Sequence, residues 1–549
     1  MVQALGLIFV IVGLAQATGL SEILPSADGL LLSLFRPFMI TLALLLAVFS
    51  ADARPVVPRR LATVDLVAAA LALISGLWTA WCLSVHSPSM AAALVGLAAL
   101  SMAAWRSWGT TLAALMLAAV LHGAILQHGS AGPETPLIDT LPALAGQLWF
   151  DPDDGVLGWL PDILLSTVFP VFILGSLLAA RISPAASDEA AADKLRPGHG
   201  GIDASRMMIA TMVMGLLIMT ERPGTDAPIL GKAMLLPALA WLAWIGLASP
   251  GGSAPGRPGP RTPPDIALVL TVTAVGLFAL VSGASLAQSA MLALALTIAV
   301  SAFDSRVRRQ PMVLARALAQ SGVAFAKLLV AAATAAVIIA VLDRTGLPLD
   351  AARLLAGAAG EAPFPLLVLT ALAVIGLGMV MPWVAVYPIV VTMIGPSLRT
   401  VGLAELTIHL FVLVASAGAS VIAHGMGAKA MAGARHGIAL IGIALALAAN
   451  PELLLVPGAL ADVGRPDRGG DMLTLGFAVL RLGCMVYLLH AAARGFAGKA
   501  PRLSGVILPG AAALACVAAD PWIYGTGLLL CALIAAGSWR SVRSAAIVT

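Results

Sequence analysis

Three polar side chains recur at every fourth position of one apolar run: Ser416, Ser420 and His424. On an α-helix that spacing puts two hydroxyls and an imidazole on one face. At membrane depth such a stripe is a polar pathway for a small solute, an ion or a proton, because ionisable groups there are functional by default. The plainer reading is interhelical hydrogen bonding with a histidine at the helix end, and both readings stand on these residues alone. A second set, Gly378, Pro382, Ala385 and Tyr387, lies in Ile375–Leu398 (IGLGMVMPWVAVYPIVVTMIGPSL). That stretch is apolar enough for a bilayer, yet a Gly pair, Pro382, Pro388 and the Gly395-Pro396 pair interrupt it. Lipid offers no water to loose backbone groups, so broken backbone at that depth must sit inside protein or line a cavity. Interrupted segments of this kind point to a transporter's binding site. The alternative is a proline-kinked packing helix with no ligand.

The elements that must position these groups are membrane helices. The chain has 549 residues, 60% hydrophobic and 11% charged, with a mean hydropathy of +1.00. Soluble domains carry about 25% charged residues, so the composition predicts a polytopic membrane protein. A spanning helix needs roughly 20 apolar residues. There are about 16 to 18 apolar runs, several shorter than that, which suits tilted, broken or re-entrant pieces. The first run, Leu5–Leu20, lacks a basic flank and a small-residue cleavage site and reads as a retained helix. Cys82, Cys484, Cys516 and Cys531 lie in or beside apolar runs with no pairing pattern and read as small buried hydrophobes. The net charge of +4 comes with no basic run suited to nucleic acid. No P-loop, CxxC pair, HExxH or GxSxG motif is present, so no enzyme activity, metal or resident cofactor is expected.

Charge placement organises the chain. Arg54, Arg59, Arg60, Arg106, Arg181, Lys194, Arg196, Arg306, Arg308, Arg309, Arg494, Lys499, Arg540 and Arg543 mark cytoplasmic loops. Acidic segments around Glu22, Glu134, Asp139, Asp151, Asp153, Asp154 and Glu361 alternate with them. That alternation predicts a multi-pass inner-membrane protein with both termini cytoplasmic. The predicted organisation is N-terminal scaffold helices over 1–127, a first transport half with an acidic external loop over 133–249, and a Pro/Gly-rich linker over 250–264. A second half carrying the broken motif follows over 265–455, and C-terminal helices over 456–549. Asp343 and Arg344 read as a pair at the outer face that either docks a binding protein or caps a helix, the cap being favoured. Trp105, Trp108, Trp149, Trp159, Trp241, Trp522 and Trp539 read as interfacial anchors.

Four segments resemble one family, the fused membrane subunit of TRAP transporters of the TAXI type. Leu377-Gly378-Met379-Val380-Met381-Pro382-Trp383-Val384-Ala385-Val386-Tyr387 resembles that family's L-G-M-G-L-P-T-T-A-T-Y. Leu61–Val67 resembles L-P-W-L-D-L. Asp153–Leu160 with Thr167–Leu178 resembles E-G-I-F-G-I-P-L followed by an aromatic-rich helix. Ala340–Leu349 and then His409-Leu410-Phe411-Val412 resemble G-V-V-T-L-T-G-L-G-L and H-L-F-V. The resemblance runs colinearly over most of the chain. It implies an all-α TRAP-permease-like fold with at least one broken or re-entrant element, and sodium-driven uptake of small organic acids with a periplasmic TAXI-type substrate-binding protein as partner.

The departures fall on the site. The family's A-D-I-T-P-P-V-A is matched here by Ala419-Ser420-Val421-Ile422-Ala423-His424-Gly425-Met426, so the carboxylate and threonine positions carry Ser420 and Ile422. The threonines of the broken motif are Trp383, Val384 and Val386. Sodium, a hard cation, prefers oxygen ligands, and the usual ligand positions are not retained. The family's first-half hairpin has no counterpart in the polar loop between Ala180 and Met207. Two functional readings follow. One is a divergent permease with altered or lost sodium coupling, its cavity lined by Gly378, Pro382, Ala385, Tyr387, Ser416, Ser420 and His424. The other is a degenerate TRAP-like protein repurposed as an accessory subunit of a larger respiratory or photosynthetic membrane complex.

Overall fold

The computed structural model describes residues 1–17, 30–50, 62–131, 137–182, 286–303, 311–359, 363–378, 381–403, 405–424, 503–517 and 521–548, with single positions between 275 and 491. The loop over 183–207, the linker over 250–264 and the stretch 425–479 lie outside them, and with them the expectations of a deleted hairpin and a dividing linker. Among the described residues every regular element is helical, as the composition requires of a polytopic membrane protein. Four helices are long and apolar enough to cross a membrane: Thr63–Ser84, Met90–Trp108, Thr110–Gly129 and Leu314–Thr345.

The helices are α1 Val2–Ala17, α2 Leu30–Phe49, α3 Ala62–Ser84, α4 Met90–Trp108, α5 Thr110–Ala131, α6 Leu137–Phe150, α7 Trp159–Ile163 and α8 Phe169–Ile182. They continue with α9 Leu286–Phe303, α10 Met312–Thr345, α11 Leu347–Ala359, α12 Pro363–Gly378, α13 Trp383–Thr400, α14 Glu405–His424, α15 Leu503–Val517 and α16 Pro521–Val548. The chain divides into two compact units. One holds Met1–Met214, Gly251–Asp350 and Val380–Met393; the other holds Gly215–Pro250, Ala351–Met379 and Ile394–Thr549.

The first unit is built around α10. Its 34 residues give a rod of about 51 Å at the α-helical rise, and its apolar window is 94% buried. The sequence favours this length: α10 is alanine-rich, and its hydroxyls spend themselves locally. Thr334 Oγ1 donates to the Val330 carbonyl at 2.7 Å and Ser321 Oγ to the Ala317 carbonyl at 2.8 Å. Gly346, at φ 68°, closes the helix in the left-handed conformation. Against α10 pack α1, α2, α4, α5, α6, α7 and α8. Helix α1 comes closest. A Cβ on Gly322 would lie 2.4 Å from the Gly6 carbonyl, so only paired glycines permit that approach. Above this crossing Phe9, Phe169, Phe172 and Phe325 form an edge-to-face cluster with centroids 4.8–6.3 Å apart.

Between α7 and α8 the turn Leu164–Val168 is a π-helix. Pro170, in the first turn of α8, has no N–H to return to Ser166 and its ring crowds that carbonyl. A widened turn relieves both problems. At one end of the unit the Arg36 guanidinium pairs with Asp162 at 2.7 Å and donates to the Leu157 carbonyl at 3.0 Å. Near the start of α3 and the end of α4, Arg106 meets Asp65: Nη2 donates to Oδ2 at 2.8 Å and Nε sits 2.6 Å from Oδ1. The Arg106 side chain is only 7% exposed.

Two expectations change here and one is extended. Trp149 is not an interfacial anchor: it is fully buried, its indole N–H donates to Thr79 Oγ1 at 2.9 Å, and its ring lies on Gly96. A tryptophan with a hydroxyl in reach is stable in a core. Arg344 finds partners beyond its own helix. It reaches Asp151 at 2.6 Å and Gln147 Oε1 at 3.0 Å, tying α10 to the end of α6. Finally, Pro388 and the Gly395-Pro396 pair do not interrupt the backbone, because α13 runs through both. Prolines are tolerated inside membrane helices where neighbours satisfy the freed groups.

In the second unit α12 packs on α14, and α15 on α16. A Cβ on Gly527 of α16 would lie 2.6 Å from the Cys516 amide and 2.9 Å from its sulfur. That glycine sets the close α15–α16 crossing.

Candidate functional site

The predicted break is present. Helix α12 ends at Gly378 and α13 begins at Trp383, with residues 379 and 380 outside the described set. Pro382 is the pivot. Its carbonyl accepts from the amides of Ala385 at 2.8 Å and Val386 at 3.2 Å, which starts α13. The residue has no amide hydrogen and a fixed φ, so it ends one helix and opens the next at little cost. Around it Met381, Pro382, Ala385, Val386 and Tyr387 are all buried. Tyr387 is fully enclosed.

On the other side of the break, a Cβ on Gly378 would lie 2.5 Å from the Ala419 Cβ. The C-terminal end of α12 therefore touches α14 with nothing between them. Ser416 sits one turn before Ala419, on the same side of α14. It is completely buried, and its hydroxyl has no hydrogen-bond partner among the described residues. Ser420 and His424 continue that face by their place in α14, and their side chains fall outside the described set. The structure thus brings Gly378 against the helix that carries the Ser416–Ser420–His424 stripe. It places Pro382, Ala385 and Tyr387 together in the first turns of α13.

The chemistry follows from helix ends. The last carbonyls of α12 have no intrahelical donor and carry the negative end of its dipole. The helix they pack on, α14, adds the buried Ser416 hydroxyl, which has no partner among the described residues. The sequence of α14 holds no acidic residue after Glu405. The first amides of α13 offer the opposite: donors and a positive dipole end, which suit an anion. The broken stretch therefore carries a carbonyl end on α12 and an amide end on α13, each in its own compact unit. No three-residue metal cluster occurs among the described residues.

The residue reading missed several partners. Arg36 is the clearest: a single charge in the apolar run Leu30–Phe49 was a signal in itself, but its partner Asp162 lies 126 positions away. Lys327, inside α10, donates to the Ser50 carbonyl at 3.4 Å at the end of α2, while its own carbonyl accepts from the Trp108 indole at 2.9 Å.

Residues 262–435 match the family model described as Tripartite ATP-independent periplasmic transporter, DctM component. The matched stretch is less than half of the chain and includes all seven candidate residues. No curated protein matches the chain. The likeness is to a transporter component and not to an enzyme, and it falls on the segment that holds the broken helix.

Proposed function

We propose that this protein is a divergent TRAP-type permease subunit that carries small organic acids across a bacterial inner membrane, with altered or lost sodium coupling. The observation that carries the reading is the break between α12 and α13. It lies inside the segment similar to the DctM component, it presents a carbonyl end at Gly378 and an amide end at Trp383, and its Gly378 end packs on α14, which carries a buried Ser416 hydroxyl with no partner among the described residues. A carboxylate substrate suits the amide end. The positions implied for sodium by the resemblance carry Trp383, Val384, Val386 and Ile422 instead of hydroxyls, so backbone carbonyls are left to serve any cation. On this reading both termini lie in the cytoplasm, lipids surround the helices, and a periplasmic TAXI-type binding protein delivers substrate.

The test is uptake into proteoliposomes of labelled mono- and dicarboxylates, with the binding protein supplied, under an imposed sodium gradient, a proton gradient and neither. Carboxylate accumulation that does not respond to sodium is the expected outcome. Strict sodium dependence would remove the coupling part of the proposal. The replaced hydroxyls also favour a second reading, an accessory subunit of a larger respiratory or photosynthetic complex. No uptake under any gradient, with stoichiometric co-purification of such a complex from native membrane, selects that reading over transport.

A further inference from the structure

Three of the chain's four cysteines, far apart in sequence, converge in the C-terminal helices. Cys484 is a helical position, as are Arg481, Tyr487 and Leu488; Cys516 is in α15 and Cys531 in α16. Leu488, Ala512, Ala513, Cys516 and Cys531 form one buried cluster, with Cys484 and Tyr487 packed against it. All three thiols are free. The Cys531 sulfur lies 3.9 Å from the Cys484 carbonyl oxygen, so the two cysteines meet where these segments pack. Cys484 is half-buried, while Cys516 and Cys531 are buried. One side of the group is framed by Arg481, whose Nε donates to the Cys516 carbonyl at 3.0 Å and whose guanidinium lies 4.4 Å from the centre of the Tyr524 ring. Trp522, two residues before Tyr524, is 85% exposed, so this rim is open to the surroundings.

We propose that Cys484 and Cys531 are a dithiol pair that closes to a disulfide under peroxide, stapling the Cys484 helix to α16. A disulfide needs the two sulfurs brought to bonding distance, and a Cys531 sulfur already 3.9 Å from the carbonyl oxygen of Cys484 itself stands close to its partner. The step balances as follows. The Cys484 thiolate, on the half-exposed member of the pair, attacks one peroxide oxygen and breaks the O–O bond, giving a sulfenic acid and hydroxide. The Cys531 thiol then attacks the sulfenic sulfur and forms the S–S bond, its proton passing to the departing hydroxyl, which leaves as water. Two thiols lose two electrons and two protons, and one hydrogen peroxide becomes two waters. Cys516 belongs to the same cluster, packed on Gly527 one turn before Cys531 on α16, and takes no part in the step. This site is independent of whether the chain transports.

The experiment uses the purified full chain in lipid nanodiscs. It is treated with hydrogen peroxide, quenched, denatured and alkylated, and its cysteine peptides are mapped by mass spectrometry. The expected result is that two of the four thiols become protected, that the protected pair is Cys484–Cys531 within one chain, and that dithiothreitol returns all four. Cys82, fully buried in the other unit, serves as the internal control and stays reduced. The Cys516→Ser variant should keep the bond and Cys484→Ser should lose it. Four alkylatable thiols after peroxide, or a bond mapping to Cys82, to Cys516 or between two chains, would overturn the proposal. Mapping of the unaltered chain decides the matter even where a serine variant folds poorly.

Discussion

Replacing Ser416 by alanine should stabilise this protein while impairing it. The hydroxyl is completely buried and has no hydrogen-bond partner among the described residues. A buried hydroxyl without a partner costs about 1–3 kcal/mol in lost hydration. Alanine also has the better helix propensity, by roughly half a kcal/mol, and α14 is helical on both sides of the position. Removal of one oxygen leaves a void too small to offset these gains. The expected change is therefore a gain of about 1–3 kcal/mol, and even one or two kcal/mol is a factor of roughly 5–30 in the folded-to-unfolded ratio. If Ser416 is held in this state to meet a ligand, the same variant loses an interaction that forms only when the ligand is present. Stability rises and carboxylate uptake falls, the usual trade at a functional position. The assay is equilibrium unfolding in mixed micelles titrated with SDS, followed by tryptophan fluorescence, with initial uptake rates measured on the same preparation. A destabilised variant would mean that the hydroxyl is bonded in the native state and would refute the reasoning. A stabilised variant with unchanged uptake would leave Ser416 as a packing defect with no part in transport.

Three further outcomes follow from other contacts. Gly378→Ala places a methyl 2.5 Å from the Ala419 Cβ and should destabilise by about 1–3 kcal/mol; adding Ala419→Gly should recover part of that loss in the same unfolding assay, and a single variant as stable as the parent would show that α12 and α14 part freely. Asp65→Ala strands the nearly buried Arg106 guanidinium and should fall toward the low end of the roughly 3–5 kcal/mol seen when one partner of a buried pair is removed. The double variant Asp65→Leu with Arg106→Met should restore most of it, and thermal survival on size-exclusion chromatography reads both. Trp149→Phe keeps the ring over Gly96 but leaves the buried Thr79 hydroxyl without its donor. A loss of about 1–3 kcal/mol is expected, and Thr79→Val placed on top should cost little more in a double-mutant cycle.

What was legible in the sequence was whatever depends on near neighbours. Apolar length gave the helices, and Pro382 with its preceding glycines gave the break, because a missing amide and a fixed φ act within one turn of where they stand. The same local logic overreached at Pro388 and Pro396, which read as interruptions and lie inside α13. Whether a proline stops a helix at membrane depth depends on who satisfies the freed carbonyl, and that neighbour is not written nearby. Distance in sequence hid the rest. Arg36 and Asp162, Arg344 and Asp151, Trp149 and Thr79, and the meeting of Cys484 with Cys531 are all pairings between helices. Each partner looks ordinary alone: a loop aspartate, a lone cysteine, an interfacial tryptophan. For the site, the consequence is specific. The residues that shape the backbone, Gly378 and Pro382, were readable because shape is local. The property that makes Ser416 a candidate, a hydroxyl enclosed with nothing to bond, is a statement about everything around it. Its sequence signal was the spacing of four shared with Ser420 and His424, which selects the face and says nothing of what that face meets. The decisive question at this site is therefore what completes the Ser416 hydroxyl, a solute or nothing, and the paired stability and uptake of its alanine variant answer it by sign alone.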